Sequence, residues 1–306
     1  MLLETKLSFP GLGISEFNIN NLAIDTEKFN VAWYAIIIAF GMVLAVTYIV
    51  YRAGKIGISF ETVLDFAMFV IPFGIIGARL YYVIFQWNHY KNDFLSIFKI
   101  WEGGLAIYGG IIVGTLVVFL VCKFKKIPFP AMGDCIIPGV ILAQGIGRWG
   151  NFMNVEAYGG ITTLPWRMCS PKIARELLAK NLINDSQYAQ ILDGALGVHP
   201  TFFYEFVWNI IGFVLAHVFF KHRKYDGQIT LFVFGWYGLG RMLIEGLRTD
   251  SLMLGPIRVS QLLAGLLFVG CLGLLIFFIF KKPKNELYFS DDKESKKNKK
   301  NKKVGV

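Results

Sequence analysis

Three arginines, Arg79, Arg148 and Arg241, stand inside runs of otherwise almost wholly apolar residues. A guanidinium offers five N–H donors in a planar fork and stays charged at any physiological pH, which suits bidentate capture of a phosphate or carboxylate. In hydrocarbon it is costly and is tolerated where it faces a cavity or a partner. Around two of the three, other polar residues recur at telling positions. Tyr237, Arg241, Glu245 and Arg248 are spaced 4, 4 and 3 apart, one face of a helix. Such a stripe is untenable against lipid, so it lines an interior. Within it, Arg241 is also placed for a structural pair with Glu245, and Arg248 for an anchor at headgroup level. Arg148 belongs to a stretch containing Gly145, Gly147, Gly150, Asn151, Asn154, Glu156, Gly159 and Gly160. So many glycines and asparagines predict a loosened helix end, where backbone donors, two amides and an arginine surround an anion.

Further candidates are less specific. Gly103 and Gly104 open an apolar run and predict a helix start whose N–H groups favour an anion. Gly110 and Gly114 behind them allow close helix packing. Tyr34 and Tyr108 fall near the ends of their runs, as site groups or as members of an aromatic belt. Arg79, followed by Tyr81 and Tyr82, reads as an interfacial anchor or as a partner behind the site. Cys122, Cys135, Cys169 and Cys271 lie far apart with no paired spacing, and no His-Glu-x-x-His or Gly-x-Ser-x-Gly motif occurs. Neither a disulfide framework nor a metal or cofactor is expected.

The elements that must hold these residues follow from composition. The 306 residues are 55% hydrophobic and 17% charged, against roughly 25% charged in a soluble domain, which argues against an ordinary soluble enzyme. Apolar runs of membrane-spanning length, about 20 residues, fall near 31–50, 63–85, 104–122, 131–152, 203–220, 228–246 and 259–280. The expectation is an all-α polytopic membrane protein with seven transmembrane helices. Eighteen Lys and Arg residues lie in the connections on one side and ten on the other, placing the N-terminus outside and the C-terminus inside. Residues 1–30 form an extracytoplasmic segment without the pattern of a signal peptide. Residues 31–152 then hold helices 1–4, 153–202 a small extracytoplasmic cap between helices 4 and 5, and 203–280 helices 5–7. Residues 281–306, with ten lysines against four acids, read as a basic disordered cytoplasmic tail that attracts anionic membrane lipids rather than nucleic acid. At ~1.5 Å per residue, Arg79, Arg148 and Arg241 stand about 24, 25 and 20 Å along their spans, all toward the outer leaflet.

The string Gly147-Arg148-Trp149-Gly150-Asn151-Phe152-Met153-Asn154-Val155-Glu156, with Gly159 after it, resembles the signature of bacterial prolipoprotein diacylglyceryl transferases. The stretch from Gly103 to Gly110, His199-Pro200-Thr201-Phe202-Phe203-Tyr204-Glu205, and Arg241 with Glu245 and Arg248 are similar to further blocks of that family, in the same order. The resemblance implies a multi-pass enzyme of the bacterial cytoplasmic membrane. Such an enzyme moves the diacylglyceryl group of phosphatidylglycerol to the lipobox cysteine of a prolipoprotein signal peptide, forming a thioether and releasing glycerol phosphate. It implies site roles for Tyr34, Arg148, Asn151, Asn154, Glu156, Gly159, Arg241, Glu245 and Arg248. Where the family often has histidine this chain has Tyr108, which puts a basic role at that position in question. Charge builds on the leaving phosphate as a thiolate attacks, so Arg148 and Arg241 are the expected catalytic groups with Tyr108, and their field lowers the substrate thiol from its usual ~8.5. Tyr34, Asn151, Asn154, Glu156, Gly159, Glu245, Arg248, Gly103 and Gly104 are expected to bind substrate. A transporter or lipid scramblase for an anionic substrate would use the same arginines. It would also need a polar path to the inner face, where only Asp65 and Asp134 stand out.

Overall fold

The computed structural model describes residues 5–26, 30–249, 253–255, 257–281 and 287–288. In chain order, β1 (Thr5–Phe9) pairs antiparallel with β2 (Ile14–Ile19), and β3 (Leu22–Asp25) with β4 (Asn30–Ala32). Helices α1 (Trp33–Lys55), α2 (Phe60–Phe85), the short α3 (Trp87–Tyr90), α4 (Ile107–Lys125) and α5 (Phe129–Asn154) follow. A long connection holds β5 (Ile161–Thr162), α6 (Pro171–Ala179), α7 (Asp185–Leu192) and β6 (Gly197–Val198), with β5 and β6 paired. Then come α8 (Thr201–Phe219), α9 (Gln228–Glu245), the paired β7 (Met253–Leu254) and β8 (Ile257–Arg258), and α10 (Val259–Lys281).

Six of the described helices, α1, α2, α4, α5, α8 and α10, are long and apolar enough to cross a membrane. The seventh expected span coincides with α9, which is less apolar because its 18 residues include Gln228, Arg241, Glu245 and three glycines. The third span starts three residues later than expected, at Ile107. The expected tail lies outside the described residues except for Lys281, Leu287 and Tyr288.

Contacts divide the chain into two compact units, Met1–Ala45 with Ile137–Arg223 and Gln228–Pro283, and Val46–Ile136 with Lys224–Gly227 and Lys284–Val306; α1 and α5 contribute to both. In the first unit, α8 and α9 are joined by a reciprocal tryptophan pair. The rings of Trp208 and Trp236 stack with centroids 4.5 Å apart, and each indole N–H donates to the other's carbonyl at 2.9 Å. Each ring lies over a glycine of the opposite helix: a Cβ at Gly240 would sit 2.1 Å from Trp208 Nε1, and one at Gly212 2.4 Å from Trp236 Cδ1. Helices α9 and α10 approach closely at Gly238, where a Cβ would be 2.8 Å from the Ala264 carbonyl.

The connection between α5 and α8 has its own apolar core of Met168, Ile173, Leu177, Ile191 and Val198, with Val155 and Phe202 from its two ends. Its helices are started by side-chain caps, Ser170 before Pro171 for α6 and an Asn184–Gln187 capping box for α7. The β1–β2 hairpin joins this core through Leu7 and Ile19, and Ser8 exchanges backbone hydrogen bonds with Cys169. The expected N-terminal segment is therefore partly ordered as strands, an addition to the mostly helical fold. Its turn, Pro10-Gly11-Leu12-Gly13, places Gly13 at φ +73°, which glycine adopts without strain.

In the second unit, α2 and α4 cross at Gly77 and Gly109, where a Cβ on Gly109 would lie 2.2 Å from the Gly77 carbonyl. Ser59 caps α2 by accepting from the Thr62 N–H. Asp65 forms an ion pair with Lys125, and the buried Asp134 accepts the Gly227 N–H at 2.9 Å.

Candidate functional site

The first unit gathers charge from three helices. Arg148 comes from α5, Glu205 from the second turn of α8, Arg241 and Glu245 from the last turns of α9, and Arg248 from the turn after it. Glu205 is the hub. Its Oε2 lies 2.6 Å from Arg148 Nη2, and its Oε1 accepts from Arg241 Nη1 at 3.1 Å and Arg248 Nη1 at 3.4 Å. Arg241 Nη2 lies 2.7 Å from Glu245 Oε2, a charge pair whose angle falls outside hydrogen-bond geometry. Arg258 donates to the Glu245 carbonyl, and Gln261 to the Met242 carbonyl at 2.9 Å. Glu205 and Glu245 are 4% and 2% exposed, whereas the Arg148 and Arg241 side chains keep 19% and 20%. Glu205 and Glu245 are closed in and the two guanidiniums are part open, so the open faces among these four side chains are cationic.

On α5 the cluster continues into an amide network. Arg148 Nη1 donates to Asn151 Oδ1 at 3.4 Å, Asn151 Nδ2 to Glu156 Oε1 at 2.8 Å, and Asn154 Nδ2 to the same oxygen at 3.3 Å. Lys172 closes the end of α5 by donating to the Asn154 carbonyl at 2.6 Å. The chain then leaves through Val155 and Ala157 at φ +49° and +54°, an uncommon conformation for residues with a Cβ. Gly159 and Gly160 run beside the segment after α9: Gly160 N donates to the Leu247 carbonyl at 2.8 Å, and Gly159 bridges Arg248. A Cβ on Gly159 would lie 2.7 Å from the Leu247 carbonyl and 2.9 Å from both His199 Cβ and Thr201 Cγ2. The glycine thus permits the close approach that ties Arg248 to the α5–α8 connection. Nearby, Tyr204 accepts from Trp166 Nε1 at 2.6 Å and lies 3.2 Å from His199 Nδ1, and burial holds the His199 imidazole below its ordinary value. Tyr34 packs its ring over Gly150, where a Cβ would sit 2.6 Å from Tyr34 Cδ2.

Of the residues singled out from sequence, the structure brings Arg148, Asn151, Asn154, Glu156, Gly159, Arg241, Glu245 and Arg248 into one network, with Tyr34 against its helix. Tyr108, Gly103 and Gly104 belong to the second unit. There Tyr108 is in the first turn of α4, half exposed, its ring 6.5 Å from that of Tyr81. Gly103 and Gly104 stand ahead of the helix at φ +92° and +74°. They turn carbonyls toward Arg79, accepting from its Nη1 at 2.6 and 3.0 Å, so the expected N–H anion site at a helix start differs from what these glycines offer. Arg79 also donates to Ser96 O at 2.6 Å and Ile97 O at 2.8 Å, and its guanidinium sits 5.1 Å from the Tyr90 ring centre. Its guanidinium thus clamps the 96–104 loop through backbone carbonyls.

Glu205 is the residue the sequence reading passed over as a site group. Three arginines at membrane depth with one named buried acid leave charge unbalanced, and Glu205 is the acid inside the fifth apolar run. That imbalance was the available signal.

Residues 21–277 match the family model described as prolipoprotein diacylglyceryl transferase. Proteins named phosphatidylglycerol–prolipoprotein diacylglyceryl transferase are similar throughout. One from Clostridioides difficile is 40% identical over 274 residues, 90% of this chain and 100% of that protein. One from Pediococcus pentosaceus is 42% identical over 262 residues, 85% and 90% of the two chains. One from Listeria monocytogenes is 40% identical over 278 residues, 91% and 96%.

Proposed function

Because this chain belongs to the prolipoprotein diacylglyceryl transferase family, we infer that it transfers the diacylglyceryl group of phosphatidylglycerol to prolipoproteins, the first step of lipoprotein maturation. The observation that carries the reading to residues is the Glu205-centred cluster, whose arginines alone keep open faces. The lipid phosphodiester docks on Arg148 and Arg241. The thiolate of a lipobox cysteine attacks the glyceryl carbon bonded to the phosphate oxygen; the C–S bond forms as the C–O bond breaks, and glycerol phosphate leaves with the electron pair. The thiol proton passes to solvent or a neighbouring base. Negative charge grows on the departing phosphate, where two preoriented guanidiniums stabilise it in a water-poor setting. Glu205 and Glu245 fix the guanidinium planes, Asn151, Asn154 and Glu156 carry that order along α5, and Gly159 holds Arg248 in register.

Tyr108 contributes to transfer through its phenol O–H, which donates a hydrogen bond as an imidazole N–H would. Gly103 and Gly104 support substrate binding through the Arg79-clamped loop, and Tyr34 by packing on α5. The setting is the bacterial plasma membrane, with α9 as a seventh span lining the polar interior, the N-terminus and the α5–α8 cap outside, and the lysine-rich tail inside against anionic lipids. Engagement of Asp65 by Lys125 and of Asp134 by the Gly227 N–H supports transfer over transport, because neither acid is left to line a path inward.

Purified protein with phosphatidylglycerol and a lipobox peptide is expected to form the thioether. Arg148→Ala and Arg241→Ala should each lose a factor on the order of 10² to 10³ in rate while inserting normally. Either variant keeping more than about a tenth of the wild-type rate would rule out the phosphate clamp at that position.

A further inference from the structure

One buried polar group lies a turn beyond the charge cluster and takes no part in it. Asn209 follows Glu205 by four positions on α8, so the two share a helix face about 6 Å apart along the axis. It is 2% exposed, and its Nδ2 makes no hydrogen bond among the described residues. The side chain faces α5 at Gly145, where a Cβ would come 3.2 Å from Asn209 Cβ. Three positions after Gly145 on the same helix, Arg148 meets Glu205. Helices α5 and α8 therefore meet in two successive layers: Arg148 with Glu205, and, farther along α8 from its start, Gly145 with Asn209.

An amide N–H without an acceptor is costly in a low-dielectric interior, and hydrocarbon supplies no water to satisfy it. Leucine or alanine would fill this place without that cost, so the donor points to a ligand that brings an acceptor. The lipid phosphate, docked at Arg148 and Arg241 one layer above, fixes what reaches Asn209. In a phospholipid the ester carbonyls lie a few bonds from the phosphate on the acyl-chain side, and a carbonyl oxygen accepts without donating.

We propose that Asn209 Nδ2 donates to an ester carbonyl of the diacylglyceryl group, so that Asn209 is a specificity-determining residue selecting ester-linked over ether-linked lipid. The ester bonds stay intact; the contact is one of binding. The assignment rests on the phosphate being held by the arginine cluster, and the test separates the two.

The full-length protein is assayed with a lipobox peptide and either diester phosphatidylglycerol or its dialkyl-ether analogue of equal chain length, which has the same phosphodiester and leaving group. Wild type is expected to prefer the diester by about tenfold in kcat/KM, the effect of one hydrogen bond whose loss leaves a buried donor unpaired. Asn209→Leu should bring that ratio close to one, chiefly through KM for the diester. Arg148→Ala should depress both lipids by the same factor and keep the ratio. Equal use of the two lipids by wild type overturns the proposal, as it would if Asn209 held only a trapped water. So does an Asn209→Leu protein that keeps the preference or slows both lipids alike. Should Asn209→Leu fail to insert, Asn209→Ser and the wild-type ratio carry the same test. Loss of all transfer from both lipids in both arginine variants, with the wild-type ratio at one, sinks the carbonyl contact and leaves the clamp standing.

Discussion

Glu205→Gln keeps the size of the side chain and removes its charge, which isolates what the hub carboxylate does. In the intact cluster one carboxylate with 4% exposure contacts Arg148 at 2.6 Å, Arg241 at 3.1 Å and Arg248 at 3.4 Å. After the substitution Arg241 keeps its pair with Glu245, while Arg148 and Arg248 lose the Glu205 carboxylate. Breaking a buried pair from one side costs about 3–5 kcal/mol; the amide oxygen still accepts one or two of the N–H groups, so the lower figure, about 3 kcal/mol, is expected. The kinetic effect differs for the two constants. The carboxylate competes with phosphate for guanidinium N–H groups, so its loss should tighten lipid binding and lower KM. The guanidiniums lose the hub that aims them, and misplacement on the order of an ångström lowers kcat by about 10². kcat and KM falling together marks a ground state stabilised at the expense of the transition state. Initial rates of thioether formation across lipid concentrations read both constants, and heat unfolding in detergent reads the stability. Adding Arg248→Gln removes the surplus charge, so the double variant should be less destabilised than the sum of the singles by about 1–2 kcal/mol. A correctly inserted Glu205→Gln protein with wild-type kcat and unfolding would refute the hub. A drop in rate that merely abolishes one limb of the pH profile would make Glu205 a proton acceptor instead.

Gly159→Ala should cost about 1–3 kcal/mol, because the added methyl meets the Leu247 carbonyl at 2.7 Å; faster limited proteolysis of the α5–α8 connection, together with a raised KM, checks this, and unchanged proteolysis speaks against the close approach at Gly159 as the tie between that connection and Arg248. Tyr108→Phe is expected to slow transfer by no more than about 10² and Tyr108→His to stay active; a Phe variant as inactive as Arg148→Ala would make the phenol essential to the proton transfer. Burial beside the β1–β2 hairpin pushes the Cys169 thiol from 9.0 up to about 11. A raised thiol pKa means that the unfolded chain ionises first, so the stability of the cap should be full below pH 9 and fall as pH rises from about 9 to about 11. Melting curves across that range test it, and Cys169→Ala should flatten the dependence.

The spans were legible because lipid imposes a simple demand: about 20 apolar residues and an internally satisfied backbone. The demand weakens where a helix lines a polar interior, and α9, with Arg241 and Glu245 among its last five residues, is the element that falls short of it. Residues on one helix face, such as Arg241 with Glu245 or Arg148 with Asn151, were legible from spacing alone. Glu205 was not, since its partners sit on two other helices and no interval along the chain encodes that meeting; only the count of unmatched arginines pointed to it. Arg79 shows the converse. An arginine in an apolar run signals a partner, and here the partners are backbone carbonyls of a loop whose path depends on two left-handed glycines. The β1–β2 hairpin carried a turn signal at Pro10-Gly11-Leu12-Gly13, but five- and six-residue strands leave too short an alternation to stand out beside long helices.

The arginine cluster also has an arithmetic of its own. Arg148, Arg241 and Arg248 against Glu205 and Glu245 sum to one positive charge. A phosphodiester brings one negative charge, so under the proposed docking the loaded site is neutral, the state of least cost in a poorly polarisable interior. The reaction turns the diester into a monoester, which carries about −1.5 to −2 at neutral pH. The thioether lipid is left uncharged at the same moment. The attacking thiolate carries that second negative charge into the cluster once its proton has left, the breaking bond moves it onto the glycerol phosphate, and the doubly charged product, no longer balanced by the cluster's single positive charge, is driven toward water. Chemistry and product ejection are then coupled through a single electron-charge imbalance, without any moving part.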